Sequence, residues 1–267
     1  MRGCFCKKEN VMIKAIFFDI DGTLIPLGKK QMSSETIDAL KKLKEKGIKI
    51  FLASGRGVRE LGVITKDVSF DGYVTLNGQI CLDENQNLFH GNPIQVGDLK
   101  VLLEIFDEKK MHAVMIEEKR SYMNFIDEAA EKIHKEIGVN AAPIESYGGD
   151  PVYQVILYAD PSYAEELFKK LQHCKWSRWH PSGIDIFSKD GGKVMGIQKT
   201  LEHFGIQQEE TMAFGDGDND VEMLGFVHLG VAMGNAQEKT KEAADYVTAS
   251  VEEDGIAKAL RHFQLVE

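Results

Sequence analysis

The chain of 267 residues has only four cysteines and six prolines. Cys4 and Cys6 stand two residues apart, whereas Cys81 and Cys174 are isolated, so the paired spacing of a structural zinc site is missing. Scattered cysteines of this kind favour reduced thiols. We therefore expect a cytoplasmic protein.

Long apolar runs are missing too. No stretch approaches the ~20 apolar residues of a membrane-spanning helix. The first eleven residues, MRGCFCKKENV, are too polar for the core of a signal peptide. We interpret them as an extension that lies outside the fold.

Basic residues are fewer than acidic residues. The chain has 42 acidic and 32 basic residues, which gives a formal net charge of −10. This charge repels nucleic acid phosphates and acidic membrane surfaces, so we expect neither as a partner. Hydrophobic residues make up 43% of the chain, enough for a large core without metals or disulfides.

From Lys14 onward, short runs of β-branched and aromatic residues alternate with helical patterns. This alternation is typical of a parallel sheet covered by helices on both faces. AIFF (15–18) indicates a buried strand, and the next helix is capped by Ser33 or Ser34 and stopped by Gly47. The same rhythm predicts strands at 48–53, 73–76, 211–214 and 228–231, and helices at 57–66, 193–204, 218–224, 237–244 and 256–263.

Between about Asp83 and Asp185 the pattern changes to paired strands and helices. This change predicts an inserted α+β module over 83–185, with the parent domain built from 1–82 and 186–267. The predicted elements of the module lie at 113–117, 121–125, 152–159 and 162–172. Short linkers are expected near 81–84 and 183–186.

Two carboxylates follow the first strand directly, in the sequence Asp19-Ile20-Asp21-Gly22-Thr23. In an open parallel sheet, ligands bind beyond the carboxyl ends of the strands. The spacing of two lets Asp19 and Asp21 leave the strand on the same side, close enough to share a cation. The alternative is an acidic turn without a function.

A second acidic sequence, Gly215-Asp216-Gly217-Asp218-Asn219-Asp220, follows the predicted strand TMAF. These carboxylates would repel one another without a cation, and hard oxygen ligands select Mg²⁺. A solvated turn that caps the next helix would explain Asp218, but not Asp216 or Asp220.

Two further polar positions follow strands. Ser54-Gly55-Arg56 comes after IFLA, and a serine with adjacent amides can hold phosphate oxygens. Lys193 opens a helix after the strand IDIF and could place an ammonium beside a phosphate and Asp19. Taken alone, the first is an ordinary helix cap and the second a surface lysine.

These four elements, in this order, resemble the haloacid dehalogenase superfamily of phosphohydrolases from Lys14 onward. DIDGT is similar to motif one, Ser54 to motif two, Lys193 to motif three and GDGDND to motif four. The insertion after TLNGQ resembles the C2B cap of the Cof-type subfamily IIB, and WSRWHP and VTASVEEDGIAKAL resemble its bacterial sugar-phosphatase branch. Gly-Gly before Lys193 and Val-Met after it depart from the usual Lys-Gly. The resemblance implies a Rossmann-like doubly wound α/β core with an inserted α+β cap.

The resemblance also implies a Mg²⁺-dependent phosphoric monoester hydrolase that acts on small phosphorylated metabolites, sugar phosphates above all. Asp19 would form an aspartyl phosphate, while Asp21 would protonate the leaving alcohol and then deprotonate water. The implied magnesium ligands are Asp19, Asp216 and the backbone carbonyl of Asp21, with Asp220 in support. The implied phosphate-binding residues are Thr23, Ser54, Gly55, Lys193 and Asn219.

Specificity is expected to reside in the cap. The candidate substrate contacts are Glu117, Arg178, Trp179, His180 and Asp185, with Asn77 and Gly78 on the core side. Arg178 could bind a second anionic group or hydroxyls, and Trp176 or Trp179 could stack on a sugar. Aromatic residues in a small α+β module are, however, more often part of its core.

Three alternatives stay open at this point. A sugar phosphomutase would need the same residues but must exclude water from the aspartyl phosphate. A non-catalytic sensor of phosphorylated ligands could dispense with either Asp19 or Asp21. A dehalogenase ranks very low, because it needs no acid for the leaving group. We expect a monomer or a weak homodimer.

Overall fold

The structure is a computed structural model that describes residues 12–137 and 140–267. The predicted extension, residues 1–11, lies outside the described residues. The described strands are β1 (Ala15–Phe18), β2 (Lys49–Ala53), β3 (Gly72–Thr75), β4 (Ile80–Asp83), β5 (Leu88–Gly91), β6 (Ala113–Glu117), β7 (Ser121–Met123), β8 (Val152–Leu157), β9 (Cys174–His180), β10 (Gly183–Ser188), β11 (Thr211–Gly215), β12 (Leu229–Ala232) and β13 (Tyr246–Val247).

The described helices are α1 (Ser34–Glu45), α2 (Gly62–Thr65), α3 (Val96–Asp107), α4 (Glu128–Ile137), α5 (Pro161–Phe168), α6 (Lys193–Phe204), α7 (Val221–Phe226), α8 (Glu238–Ala243) and α9 (Gly255–His262). Helix α1 begins as predicted, because the Ser33 hydroxyl accepts the backbone N–H of Thr36 at 3.1 Å. No helix in the described part of the chain is both long and apolar enough to cross a membrane.

An eight-stranded sheet has the order β13-β12-β11-β1-β2-β3-β4-β5. The strands from β13 to β3 pair in parallel, whereas β4 runs antiparallel to β3. All four residues of β1 are fully buried, as expected of an apolar strand covered on both faces. The strand order reverses between β1 and β11, where doubly wound sheets bind ligands. The predicted fold class is confirmed.

The chain divides into two compact units. Among the described residues, one unit comprises 12–89 and Lys193–Glu267, and the other comprises 90–137 and 140–192. The boundaries lie later than the predicted 82/83 and 185/186. The segments interpreted as linkers are ordered strands: β4 extends the large sheet, and β10 continues the sheet of the inserted unit as far as Ser188.

The inserted unit has a five-stranded antiparallel sheet of order β7-β6-β8-β10-β9. Apolar residues of α3 and α5, among them Leu102 and Leu167, share one core cluster with Val155 and Ile184 of the sheet. The sequence indicated β6, β7, β8 and α5, but we did not predict α3, α4 and β9.

Two predicted helices of the large unit are shorter than expected. The segment predicted as a helix over 57–66 contains a 3₁₀ turn at Val58–Glu60 and then the four-residue α2. The segment predicted over 218–224 begins with a 3₁₀ turn at Asp218–Asp220 before α7. This turn lets the side chain of Asp220 fold back onto the backbone amides of its own loop.

Candidate active site

Polar side chains follow adjacent strands at the carboxyl edge of the parallel sheet. Asp19 comes directly after β1, Ser54 after β2 and Asp216 after β11. Lys193 is the first residue of α6 and Asp220 the last of the 3₁₀ turn before α7. The fold thus collects these predicted site residues at one edge of the sheet.

Lys193 connects two carboxylates. Its Nζ lies 2.5 Å from Asp19 Oδ1 and 2.6 Å from Asp220 Oδ1, and all three residues are buried. Helix α6 lies so close to β3 that a Cβ atom on Gly196 would come within 2.4 Å of Val74 Cγ1. The glycine therefore permits the close approach at the start of α6, where Lys193 stands.

Asp220 has contacts for both of its carboxylate oxygens. While Oδ1 accepts from Lys193, Oδ2 accepts the backbone N–H groups of Asp216 at 3.0 Å and Gly217 at 2.9 Å. Asp220 therefore holds both the loop and the ammonium, and its supporting role at a cation site stays a prediction.

Asp216 is oriented by the loop that follows β1. The Thr23 hydroxyl donates to Asp216 Oδ1 at 2.7 Å, and the Thr23 N–H donates to Ile20 O at 3.3 Å. Gly22 adopts φ +85°, and a Cβ atom there would lie 2.2 Å from Asp216 Oδ2. The Thr23 hydroxyl, expected to bind phosphate, thus gives its hydrogen to a carboxylate.

The charges of this cluster do not balance. Oxygens of the carboxyl groups of Asp19, Asp216 and Asp220 lie within 4.8 Å of one another, so three acidic groups surround the ammonium of Lys193, which contacts two of them. Burial raises the pKa of Asp19 well above its ordinary value despite the opposing charge of Lys193, and nearby Asp220 adds to the effect. Burial likewise raises the pKa of Asp216 to about 6. With all three groups ionised, two negative charges would exceed the charge of Lys193, and a divalent cation such as Mg²⁺, which prefers hard oxygen ligands, would balance them.

Lys193 is charged in this setting. Burial alone would lower the pKa of its ammonium, but the charges of Asp19 and Asp220 outweigh burial and raise it well above its ordinary value. Lys193 therefore supplies a permanent positive charge next to Asp19.

Asp21 pairs with Arg56. Arg56 Nε lies 2.8 Å from Asp21 Oδ2, and Nη2 lies 2.5 Å from Oδ1. The hydrogen bonds that Arg56 donates to Asp21 raise the pKa of Arg56 above its ordinary value. The Asp21 side chain remains 46% exposed, so water can reach its carboxylate.

Residues 76–78 bring an asparagine to the same edge. Leu76, Asn77 and Gly78 all have positive φ, at 50°, 53° and 86°, so three left-handed residues follow one another. Asn77 N donates to Ser54 O at 3.0 Å, and Asn219 Nδ2 donates to Asn77 Oδ1 at 3.2 Å. The structure thus brings Ser54, Asn77 and Asn219 together.

Residues 16–260 match the model of the haloacid dehalogenase-like hydrolase family. The chain belongs to this family. The match includes all the motif residues described above, and the resemblance inferred from them is confirmed.

Relatives of this haloacid dehalogenase-like hydrolase include named phosphatases. The Bacillus subtilis 5-amino-6-(5-phospho-D-ribitylamino)uracil phosphatase YcsE is 31% identical over 268 residues, which cover 97% of this chain and 99% of that protein. Among solved structures, the phosphatase BT1666 of Bacteroides thetaiotaomicron has a TM-score of 0.87 and 30% identity, covering 97% of this chain and 98% of that chain. The subclass IIB sugar phosphatase BT4131 has a TM-score of 0.82 and 36% identity, covering 95% and 100%. The predicted enzyme class, a phosphoric monoester hydrolase, is confirmed.

The cap candidates of this family member lie in the inserted unit. Arg178 Nη1 donates to Pro181 O at 2.9 Å, and the guanidinium lies 5.5 Å from the ring centre of Trp176. Glu117 is buried and accepts hydrogen bonds from Arg120 and Tyr122. Glu117 is therefore occupied within its own unit.

The other cap residues stay predictions. Asp185 lies on β10 opposite Ser177. Trp179 and His180 belong to β9, but their side chains lie outside what the structure describes.

Sequence reasoning assigned no role to two residues of the site, Arg56 and Asn235. Arg56 belongs to the Ser-Gly-Arg sequence that follows β2. Its position just after a strand end is the signal that could have indicated a site residue. Asn235 donates to the carbonyl oxygen of Gly22 at 2.8 Å, and the loop that carries it has no acidic residue to mark it.

Proposed function

We propose that this protein is a Mg²⁺-dependent phosphatase that hydrolyses small phosphorylated metabolites, sugar phosphates above all, through a phosphorylated Asp19. The observation that carries the proposal is the cluster of Asp19, Asp216 and Asp220, in which Lys193 contacts Asp19 and Asp220. A nucleophile, a fixed positive charge and a cation-binding set of oxygens stand together there.

In the first step, a carboxylate oxygen of Asp19 attacks phosphorus while the bond from phosphorus to the leaving oxygen breaks. Asp21, in its protonated form, gives its proton to that oxygen, and the alcohol departs. The ammonium of Lys193 lies at the attacking carboxylate and offsets the negative charge of the phosphoryl oxygens.

In the second step, water attacks the phosphorus of the aspartyl phosphate. Asp21, now ionised, takes a proton from this water, and the bond between phosphorus and Asp19 breaks. Inorganic phosphate leaves, and the carboxylate of Asp19 is restored. The exposure of Asp21 supports this step, because the base must meet a water molecule.

The proposed cation site is supported by the short distances, within 4.8 Å, between oxygens of Asp19, Asp216 and Asp220. Asp19, Asp216 and the backbone carbonyl of Asp21 would hold Mg²⁺, while Asp220 would orient the loop behind them. When bound, Mg²⁺ supplies charge that stabilises the phosphoryl oxygens. Thr23 acts on this site through Asp216, to which its hydroxyl donates.

The phosphate would be bound by Ser54, Gly55, Lys193 and Asn219. The Ser54 hydroxyl accepts the N–H of Arg56 at 3.1 Å, which fixes its oxygen beside the strand end. Asn77 is in contact with Asn219, so its carboxamide would lie near the same group.

The sugar-phosphate class is supported by two similar proteins. BT4131 is a sugar phosphatase, and YcsE is named for a substrate with a phosphorylated ribityl chain. Both names point to leaving groups rich in hydroxyls. Arg178, Trp179, His180 and Asp185 are the residues we propose to select the leaving group.

The test is phosphate release from sugar phosphates, nucleotides and vitamin phosphates, with Mg²⁺ and with chelator. Asp19→Asn should abolish release because it removes the nucleophile at nearly constant volume, whereas the control Asp218→Asn, an exposed residue of the second acidic sequence, should retain it. Release at the wild-type rate from Asp19→Asn would contradict the mechanism. Transfer to a second hydroxyl without free phosphate would instead show a mutase.

A further inference from the structure

Asn235 follows β12 and has no part in the chemical steps proposed above. Its loop is fixed by the backbone, since Met233 N donates to Gly215 O at 3.0 Å and Gly234 N donates to Ala249 O at 2.9 Å. A Cβ atom on Gly234 would lie 2.6 Å from Ser250 N, so the two segments are in close contact. The loop is held against the end of the strand that leads to Asp216.

The carboxamide of Asn235 connects three segments. Its Oδ1 accepts the N–H of Val251 at 2.9 Å, while Nδ2 donates to Gly22 O at 2.8 Å. Nδ2 also lies 3.5 Å from Asp216 Oδ2, to which it can donate its second hydrogen. The reversed orientation is unfavourable, because it would set the amide nitrogen against the Val251 N–H and the amide oxygen against the Gly22 carbonyl.

The two segments that Nδ2 contacts belong to the proposed cation site. Gly22 lies directly against Asp216, whose Oδ1 already accepts from Thr23. Asp216 thus has one neutral donor near each oxygen. Donors of this kind orient a metal-binding carboxylate and hold its free lone pairs in a fixed direction.

We infer that Asn235 is a positioning residue for the cation site. It holds the Gly22 carbonyl and Asp216 together, so that the loop after β1 and the loop after β11 can bind one divalent cation. Asn235 acts through these groups and touches neither substrate nor reacting atoms. The inference rests on the proposed function.

A purely structural role would involve the other end of the amide, where Asn235 anchors the N–H of Val251. The two roles can be separated. Val251→Pro removes that N–H and keeps the Nδ2 donors, and proline suits this position because Val251 opens a 3₁₀ turn after Ser250 at φ −66° and ψ 164°. Asn235→Ala removes all three contacts, and its side chain is exposed enough for the fold to tolerate the change.

The experiment measures binding of Mn²⁺, a stand-in for Mg²⁺ at oxygen sites, by the electron paramagnetic resonance signal of the free ion. Asn235→Ala should raise the Kd for Mn²⁺ by about 10- to 100-fold. Val251→Pro should lower the melting temperature in chelator and leave this Kd near that of the wild type. Asp216→Asn serves as the reference for loss of a ligand.

The inference is overturned if Asn235→Ala binds Mn²⁺ as tightly as the wild type, or if Val251→Pro weakens binding as much as Asn235→Ala. Either result leaves the proposed phosphatase intact, provided that the wild type releases phosphate with Mg²⁺. A wild type that binds no Mn²⁺ would overturn the proposed cation site and the inference together.

Discussion

Arg56 binds both carboxylate oxygens of Asp21, with Nε to Oδ2 at 2.8 Å and Nη2 to Oδ1 at 2.5 Å. The two residues come from neighbouring strand ends, Asp21 after β1 and Arg56 after β2. A planar guanidinium that holds a carboxylate with two parallel hydrogen bonds fixes its direction as well as its distance. Arg56 therefore sets the orientation of the residue we propose as the acid and base.

Replacing Arg56 should slow turnover more than it weakens substrate binding. We expect Arg56→Ala to lower kcat on the order of 10- to 100-fold, because a misdirected acid and base loses much of its contribution. Arg56→Lys should give an intermediate kcat, since an ammonium keeps the positive charge but cannot form the two parallel hydrogen bonds of a guanidinium. Steady-state kinetics across pH would measure both, with the exposed Arg59→Ala as control. Wild-type kcat in Arg56→Ala would refute the role of Arg56.

Two glycines offer a matched pair for the contact with Asp216. Gly22 and Gly28 both have positive φ, at 85° and 75°, but a Cβ atom on Gly28 has nothing within 4 Å. Alanine at Gly28 should reduce the free energy of unfolding by about 1–2 kcal/mol because the backbone is left-handed, and alanine at Gly22 by more, because its methyl group also meets Asp216. Only Gly22→Ala should also lose Mg²⁺-dependent phosphate release, since its methyl group would displace Asp216. Equal activity in the two variants would show that the close contact with Asp216 is unimportant.

Removing the ammonium of Lys193 should destabilise the fold. Lys193→Met leaves Asp19 and Asp220 buried without their counter-charge, and we expect the free energy of unfolding to fall by about 3–5 kcal/mol at pH 7. Burial raises the pKa of Asp19, which therefore takes up a proton more readily in the folded state, so the deficit should shrink as the pH falls towards 5. Urea unfolding at several pH values would measure this.

The control for Lys193 is Lys199→Met on the same helix, where the lysine is partly exposed and pairs with Glu202. It should change the free energy of unfolding by less than about 1 kcal/mol at every pH. A deficit of equal size in both variants would show that burial of charge is not the cause.

Asp98 should make stability depend on pH in the acid range. Burial alone would raise its pKa, but the backbone N–H groups of Gln172 and His173, at 3.0 and 2.7 Å, outweigh burial and lower it. A carboxylate with a lowered folded pKa stabilises the fold above its unfolded pKa of about 3.9, and the contribution is lost as the pH falls through the folded pKa.

Asp98→Asn should therefore lower the free energy of unfolding by about 1–3 kcal/mol at pH 7, and by less at pH 3. Urea unfolding at the two pH values would measure the difference, with the exposed Asp107→Asn on the same helix as control. A difference that does not change between pH 7 and pH 3 would contradict the assignment.

The sequence was sufficient to predict which acidic residues meet. Asp19 and Asp216 each follow a short apolar run, and the carboxyl ends of parallel strands share one edge of the sheet. Lys193 was also predictable, because it opens a helix directly after a strand. These predictions depend on where the strands end, and the short apolar runs in the sequence locate those ends well.

The direction of individual hydrogen bonds could not be predicted. Nothing in DIDGT indicates that the Thr23 hydroxyl donates to Asp216, a residue 193 positions away. The same holds for Arg56 and Asn235, whose partners lie in loops and turns elsewhere in the chain. Such contacts depend on side-chain conformations that no local pattern encodes.

The boundaries of the compact units differ from the predicted domain boundaries for a different reason. The segments that form β4 and β5 are short, and their alternating residues suit a linker or an edge strand equally well. The pairing of β4 with β3 in antiparallel register makes this segment a strand of the large sheet and not a linker. The sequence near a boundary does not indicate which of the two sheets a short strand will pair with.

The position of β1 in the sheet has a consequence for synthesis on the ribosome. β1 pairs with β2 on one side, but its other neighbour, β11, is made only after the whole of His90–Gly192. A chain stopped between residues 192 and 211 therefore presents the apolar strand AIFF with one unpaired backbone edge, the kind of surface that joins other chains or recruits chaperones. Folding of the large unit is thus coupled to completion of the last quarter of the chain.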